Sequence, residues 1–521
     1  MADLDSTELH IRDTPQYFFD TGMIEEIQNI SRTVHTPEMY EGNPILVQDK
    51  PWEHHVNMHA DDYKVWRDDD GVFHLLYSDF DIDQEKAART GGTLIDYDIS
   101  RFRVCYARSE DGYTWVKPPM GIVHEDGHDT NIVMGDRTHG NVWGLAPLDD
   151  PLETDPARRY KAIYEIGPPG FRVADELPGA NVRRAYSADS IHWTTYDEPH
   201  VFEGLGAKQG DSIYPFFDPE TRTYNILTRH PWMEMAPRPR VGLVEKAIAG
   251  GSTTDPAHGL SNRRGMRRIF QAQSRDFHHW SEPRLALAPD PELDNLDDSF
   301  YSMRPYRLGS HWVAFLGVLA MTEYKLHPQL AFSRDARQWD RLRPTHTWIP
   351  GGGPGSFDEL VVAAPHMVDV GDESWFYYGG AGAKSPQQRN PYGLGLGKLR
   401  RHGFVSVGTN DKHVGMLLTE AFIAPGDRLV INASCGPQGY IKVEAADVTY
   451  RVMEGRSADD CDVFTGDSIS HVVTWGGDAT LPLPEGIDSG TVYSTFIPHR
   501  HLRFYMHDAQ LYSFQITSSD G

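Results

Sequence analysis

Ser109-Glu110-Asp111-Gly112-Tyr113-Thr114-Trp115 spells Ser-x-Asp-x-x-x-Trp, and the chain repeats that pattern three more times. The copies are Ser187-Ala188-Asp189-Ser190-Ile191-His192-Trp193, Ser274-Arg275-Asp276-Phe277-His278-His279-Trp280 and Ser333-Arg334-Asp335-Ala336-Arg337-Gln338-Trp339. Each follows a short apolar or aromatic run, such as Val104-Cys-Tyr-Ala or Leu330-Ala-Phe. The physics is that of a hairpin. A strand ends at Ser, Asp closes the turn by bonding its own backbone, and Trp packs where the next strand begins. The repeat therefore speaks for architecture rather than chemistry.

The copies begin 78, 87 and 59 residues apart, too irregular for a solenoid. Blades of about 40–50 residues carrying loop insertions suit them, as in a β-propeller. Strand signals fill the intervals: Val72-Phe-His-Leu-Leu-Tyr, Tyr160-Lys-Ala-Ile-Tyr, Tyr224-Asn-Ile-Leu-Thr, Trp312-Val-Ala-Phe-Leu and Trp375-Phe-Tyr-Tyr. Five units of polar start, strand, charged turn and aromatic strand open near Asp61, Trp143, Asp211, Asp298 and Asp358, which implies five blades. The fifth has no Ser/Asp/Trp turn and runs instead through Gly393-Leu-Gly-Leu-Gly, read as a glycine-rich strand. Long amphipathic helices are nearly absent; residues 21–30 are the best short candidate.

The fold class expected is all-β: a five-bladed β-propeller followed by a C-terminal β-sandwich. Residues 1–50 form a lead-in segment packed on the propeller, with Phe18-Phe19-Asp20 as a strand. Residues 51–409 form the catalytic propeller, and residues 410–521 the sandwich, whose strand signals include Arg428-Leu-Val-Ile, Tyr440-Ile-Lys-Val and Leu502-Arg-Phe-Tyr.

Composition narrows the function classes. The 521-residue chain carries 49 basic and 75 acidic side chains, a formal charge of −26. Such a surface repels phosphate backbones and anionic bilayers, so neither nucleic acid nor membrane is expected as a partner. Three cysteines without a Cys-x-x-Cys make neither a disulfide framework nor a zinc site. The acidic N-terminus lacks the apolar core of a signal peptide, and no run of about 18 apolar residues occurs, so a cytoplasmic location is expected. A homo-oligomer is left open. No cofactor is expected; a calcium ion on the axis is conceivable but has no supporting ligand pattern.

In a propeller, first-strand starts from all blades converge at one end of the central channel. Asp61, Asp211, Asp298 and Glu359 sit at or just before such starts. Converging carboxylates are what glycosidic cleavage needs: one as base or nucleophile, one protonated at the leaving oxygen. Any one of them alone could equally be a turn or strand cap; the recurrence is what raises the group.

Ala60-Asp61-Asp62 through Phe73-His-Leu-Leu-Tyr-Ser78 resembles the opening blade of the five-bladed-propeller glycoside hydrolases, the superfamily of arabinanases, xylosidases, invertases and fructanases. The Ser/Asp/Trp turns and the Tyr377-Tyr-Gly-Gly380 strand are similar too. Residues 15–60, with Arg32-Thr-Val-His35 and Gly42-Asn-Pro-Ile-Leu46, and the tail, with Gly439-Tyr-Ile-Lys-Val-Glu444 and Trp475, resemble a bacterial branch of invertase-like proteins. The resemblance implies Asp61 as nucleophile or general base, Glu359 as general acid, and Asp211 tuning that acid and holding a sugar hydroxyl. The chain departs from the pattern in lacking the Trp-x-Asn-Asp-Pro-Asn-Gly opening, the Arg-Asp-Pro motif and the third-blade Glu, where Asp211 stands instead. Asp298 or Glu323 is therefore an alternative acid.

Around these, Trp52 is read as a stacking platform for a sugar ring, and His59, Asp62, Arg229, Tyr301, Arg304 and Asp358 as substrate-binding, with Asp298. The cluster His54, His55 and His59 is read as loop or sugar-binding histidines before metal ligands. The function expected is a glycoside hydrolase cleaving a furanoside or related short oligosaccharide, exo-acting, with a small carbohydrate as its partner. The competing readings are a non-catalytic carbohydrate-binding propeller and a propeller lyase or phosphorylase. Retention or inversion would follow from the carboxylate spacing.

Overall fold

The computed structural model describes residues 9–60, 62–82, 99–135, 141–167, 181–196, 212–230, 267–290, 292–295, 297–320, 323, 325–385, 388–410, 412–484 and 499–519. The fold is all-β. Among the described residues the only helix is the single 3-10 turn Pro156–Arg158, opened by Asp155 accepting the Ala157 N–H.

Five antiparallel meanders organise the middle of the chain. The first runs Tyr63–Arg67, Phe73–Ile82, Ile99–Ser109, Ile132–Met134. The second is Asn141–Asp149, Tyr160–Gly167, Asn181–Ser187, Thr194–Thr195. The third is Tyr214–Asp218, Thr223–His230, Arg268–Ser274, Arg284–Leu287. The fourth is Asp298–Leu308, His311–Ala320, Lys325–Ser333, Asp340–Arg341. The fifth takes His366–Val370, Glu373–Ala381 and Gly393–Arg400 from its own stretch and its outer strand, Glu38–Met39, from the N-terminal segment.

Packing joins these sheets face to face. One buried cluster sets Leu76, Val104 and Tyr106 of the first meander against Val142, Ala162 and Ala185 of the second. Another sets Ile163 and Val182 of the second against Tyr224, Ile226 and Ala272 of the third. A third joins Phe216, Leu227 and Ile269 to Phe300, Leu316 and Ala331. The fourth and fifth are also joined edge to edge into one sheet by Val361–Val362, which pairs with Leu326 and with Gly380 and Ala381. Phe315 and Phe376 meet there with ring centroids 5.8 Å apart, and the fifth returns to the first through Phe73 and Trp375, 5.8 Å apart. Second strands are thus covered on both faces, which is why His311–Ala320 and Glu373–Ala381 are almost unbroken buried runs rather than alternating ones.

The four Ser-x-Asp-x-x-x-Trp turns join third to fourth strands, and they share one wiring. In each, the Ser hydroxyl lies within 2.9–3.0 Å of an Asp oxygen that also accepts the N–H groups two and three residues on. The residue after Asp is left-handed every time: Gly112, Ser190, Phe277 and Ala336, with φ of 78°, 63°, 65° and 56°. Only the first copy uses glycine there. Burial works against the Asp189 charge, but the N–H donors of His192 and Ile191 and the His192 ring hold its carboxyl down at about 2.

Beyond residue 405 the chain builds one ten-stranded sheet. Its spine is two long strands, Arg428–Asp447 and Arg500–Thr517, paired along their lengths with irregularities near Asn432 and between Cys435 and Tyr440. Signals that read as several short strands therefore merge into two long bent ones. Four N-terminal strands, Leu9–His10, Gln16–Tyr17, Ile24–Gln28 and Ser31–Val34, belong to the same sheet.

Two sequence expectations are corrected. The helix candidate at 21–30 is the strand Ile24–Gln28, paired antiparallel with Gly415–Thr419. Phe18-Phe19-Asp20 is not a strand but a bend following Gln16–Tyr17. Both phenylalanines are buried, and Asp20 turns the chain by accepting from the Gly22 N–H at 2.9 Å and from Arg334 at 2.6 and 2.7 Å.

Candidate functional site

The first strands of successive meanders are neighbours around a common centre, and Tyr306 reaches His366 to link the fourth to the fifth. Asp61 and Asp211, two of the three residues expected to be catalytic, lie outside the described residues.

His59, Tyr301 and Arg229, drawn from sequence positions far apart, do come together. The His59 ring is 4.5 Å from the Tyr301 ring, and the Arg229 guanidinium lies 3.8 Å over the opposite partner of that contact, the same Tyr301. Arg267 joins at 5.0 Å from Tyr301. His59 Nδ1 is 2.6 Å from the Tyr392 hydroxyl. The Tyr301 ring is covered by the guanidinium and flanked by the imidazole, so the cluster offers hydrogen-bond donors held in place by an aromatic ring. Arg267 and Tyr392 were not anticipated from sequence: each sits in a stretch with no motif, and its meaning comes only from the partner it meets.

Asp62 is tied to the first meander, accepting from Asn57 Nδ2 at 2.5 Å and Ser78 Oγ at 3.5 Å. Asp298 is 5% exposed at the first-strand start of the fourth meander, and it accepts from the backbone and side chain of Asn295 at 3.0 and 3.1 Å. Burial raises its carboxyl above the usual range, and the nearby Asp294 and Asp297 charges push the same way. Glu323 is exposed and paired with Lys325 at 3.1 Å.

Asp358 and Glu359 sit together in the glycine-rich loop before the fifth meander. Asp358 is buried, accepting from Tyr378 at 2.8 Å and from the Gly352 N–H at 3.1 Å. Glu359 is half-buried and accepts the Gly355 N–H at 2.9 Å. The loop backbone packs against the second strand of its own sheet so closely that a Cβ on Gly380 would stand 2.5 Å from the Phe357 ring.

Arg304 differs from its expected role as a substrate grip. It is 3% exposed and spans the centre, donating to the Ala60 carbonyl at 2.8 Å and to the Ala364 carbonyl. Its guanidinium also lies 4.8 Å from the Tyr63 ring and 4.7 Å from the Tyr214 ring. It cross-links three meanders.

Trp52 is held by a polar clamp that the sequence does not announce. Its indole N–H donates to Asn131 at 2.8 Å, and its carbonyl accepts from Arg103 at 2.7 Å. Arg103, fully buried, pairs with both Asp79 and Glu125, while Asp79 also accepts the N–H groups of His54 and His55 at 2.9 Å. Beside it Glu53 accepts from Tyr77 at 2.6 Å and Lys117 at 2.7 Å. This clamp fixes the whole 47–59 loop. Among the described residues no group of three or more His, Cys, Asp or Glu is placed to hold a metal ion, and no helix is long and apolar enough to cross a membrane.

No family model matches the chain, and no curated protein matches it. Among solved structures, the chain is similar to a protein described as a glycoside hydrolase, at 15% identity over 70% of this chain and 92% of that one, with a TM-score of 0.44. It is similar to the β-1,2-mannobiose phosphorylase of Listeria innocua at 13% identity over 72% and 97%, TM-score 0.46. It is likewise similar to the catalytic domain of the Coprinopsis cinerea α-L-arabinofuranosidase at 11% identity over 70% and 97%, TM-score 0.43. Likeness at this level leaves the function to be argued from the chain's own residues.

Proposed function

We propose that the protein is a glycoside hydrolase, its five meanders the blades of a five-bladed propeller and the sheet beyond residue 405 the basis of a C-terminal β-sandwich. The observation that carries this reading is the buried carboxyl of Asp298, raised at a first-strand start on the same ring of strands as the His59–Tyr301–Arg229 cluster. A carboxyl whose protonated form is favoured by burial is suited to delivering a proton to a leaving glycosidic oxygen.

In this reading Asp298, rather than Glu359, is the general acid. Asp298 is buried at a first-strand start, where burial favours its protonated form, whereas Glu359 lies half-buried in a glycine loop. Asp298 transfers its proton to the oxygen as the bond to the anomeric carbon breaks. Asp61 attacks that carbon or takes the proton of the attacking water, and Asp211 holds a sugar hydroxyl. His59, Arg229 and Arg267, gathered around the Tyr301 ring, donate to sugar hydroxyls. The furanoside preference and exo action rest on the sequence resemblance to the propeller hydrolases.

The test is turnover across a panel of aryl furanosides and pyranosides. Asp61→Asn and Asp298→Asn should each lower kcat by at least about 10²-fold, with Glu359→Gln close to wild type. Intact hydrolysis in both Asp variants would refute the assignment. Glycan binding without turnover by the wild type would favour a binding protein.

A further inference from the structure

At the centre of the ring, below the Arg304 cross-link, lies a cavity of about 50 Å³ lined by Tyr63, Lys64, Tyr214, Arg304, Tyr306 and His366 together with alanine and prolines. No carboxylate is among its described lining residues. Two of those residues carry positive charge by ordinary chemistry. Arg304 cannot shed its proton, and although two of its nitrogens reach carbonyl oxygens, its buried Nε has no acceptor. Lys64 makes no hydrogen bond or ion pair with any described residue.

The third basic group is silent. His366 Nε2 is 2.9 Å from the Tyr63 carbonyl, which can only accept, so that nitrogen holds the proton. Nδ1, 3.0 Å from the Tyr306 hydroxyl, then accepts, and Tyr306 in turn accepts the Met367 N–H at 3.1 Å. The imidazole is neutral and satisfied, in keeping with burial driving its protonation far below the usual range.

Arg304 is buried there with no described carboxylate beside it, and half-buried Lys64 brings a second positive charge to the same cavity. The ordinary remedies are a counter-charge or loss of a proton. The Lys64 ammonium leans toward the second: burial, with the Arg304 charge adding to it, brings it down to about 8. It still holds its proton at neutral pH. The cavity has room for about one small ion, with or without a water. Lys64 and Tyr306 also line a more open depression on the outward side, whose acids are already engaged, Asp68 by His74 at 2.9 Å and Asp369 by His402 at 2.7 Å.

We propose that this axial cavity is a binding site for one small monovalent inorganic anion, of chloride size, held by Lys64 and Arg304. The anion enters past Lys64 from the face opposite the candidate active site, and it serves as the counter-charge that lets the meanders close around Arg304. The donor set is the reverse of a calcium site, which asks for carboxylate and carbonyl oxygens. The inference does not rest on the glycosidase reading.

Crystals of the full chain soaked in bromide should show an anomalous peak within hydrogen-bonding distance of Lys64 Nζ. In parallel, thermal unfolding in chloride should lie about 1–3 °C above that in gluconate at equal ionic strength. Lys64→Met should lose that increment while melting no lower than wild type in gluconate, because it removes a positive charge that faces Arg304. Absence of a bromide peak in the wild type overturns the proposal, as does a chloride increment that survives in Lys64→Met.

Discussion

Two loops that carry candidate site residues press on opposite faces of the same pair of glycines, and they are held in opposite ways. Along the strand Glu373–Ala381, Gly379 faces the segment of residues 47–59, where a Cβ would stand 2.0 Å from the Met58 carbonyl oxygen. Gly380 faces the loop of residues 351–360, against Phe357 and Asp358. The first loop is locked by buried charge: Arg103 between Asp79 and Glu125, and Glu53 under Lys117. The second is glycine-rich and largely exposed, fastened by neutral donors to Asp358. The contrast teaches where rigidity is concentrated. The clamp orders the segment leading to His59 and Asp62, while the loop bearing Glu359 is anchored at one carboxylate and otherwise open to solvent.

The comparison can be broken most severely at Arg103. Arg103→Met should cost about 3–5 kcal/mol in urea unfolding or prevent folding altogether, because Asp79 and Glu125 would be left buried without their cation. A loss below about 1 kcal/mol would show that the clamp is not what holds the loop. Gly379→Ala should come next, at about 1–3 kcal/mol, since its new methyl meets main chain that cannot swing aside. The smallest effect belongs to the other loop: Glu359→Gln should stay within about 0.5 kcal/mol of wild type. A large loss there would mean that Glu359 carries more than its bond to Gly355.

What was legible in the chain was what is local. The Ser/Asp/Trp turns could be read because donor and acceptor stand two or three residues apart, and the strands followed from their apolar runs. The left-handed residue inside the turn was hidden, since Ser190, Phe277 and Ala336 occupy a conformation that only Gly112 advertises. Ile24-Glu25-Glu26-Ile27-Gln28 has the spacing of a helix turn, yet its partner strand starts at Gly415, and long-range pairing overrides the local pattern. The clamp was equally hidden: Asp79, Arg103 and Glu125 look like surface charges until the fold closes over them. His59 meets Tyr392, 333 residues away, which no spacing rule could suggest. Arg304 was recognised as an inner-strand residue, but its acceptors are main-chain carbonyls, and those leave no trace in a sequence.

The outer strand of the fifth meander, Glu38–Met39, has a consequence for how the molecule is made. Its partner, Gly393–Arg400, leaves the ribosome some 350 residues later, roughly 20–70 s at ordinary rates of synthesis. The four strands ahead of it wait longer still, for a sheet that is complete only at Thr517. These early strands are thus among the last to be paired, and four meanders can assemble before their partners are made.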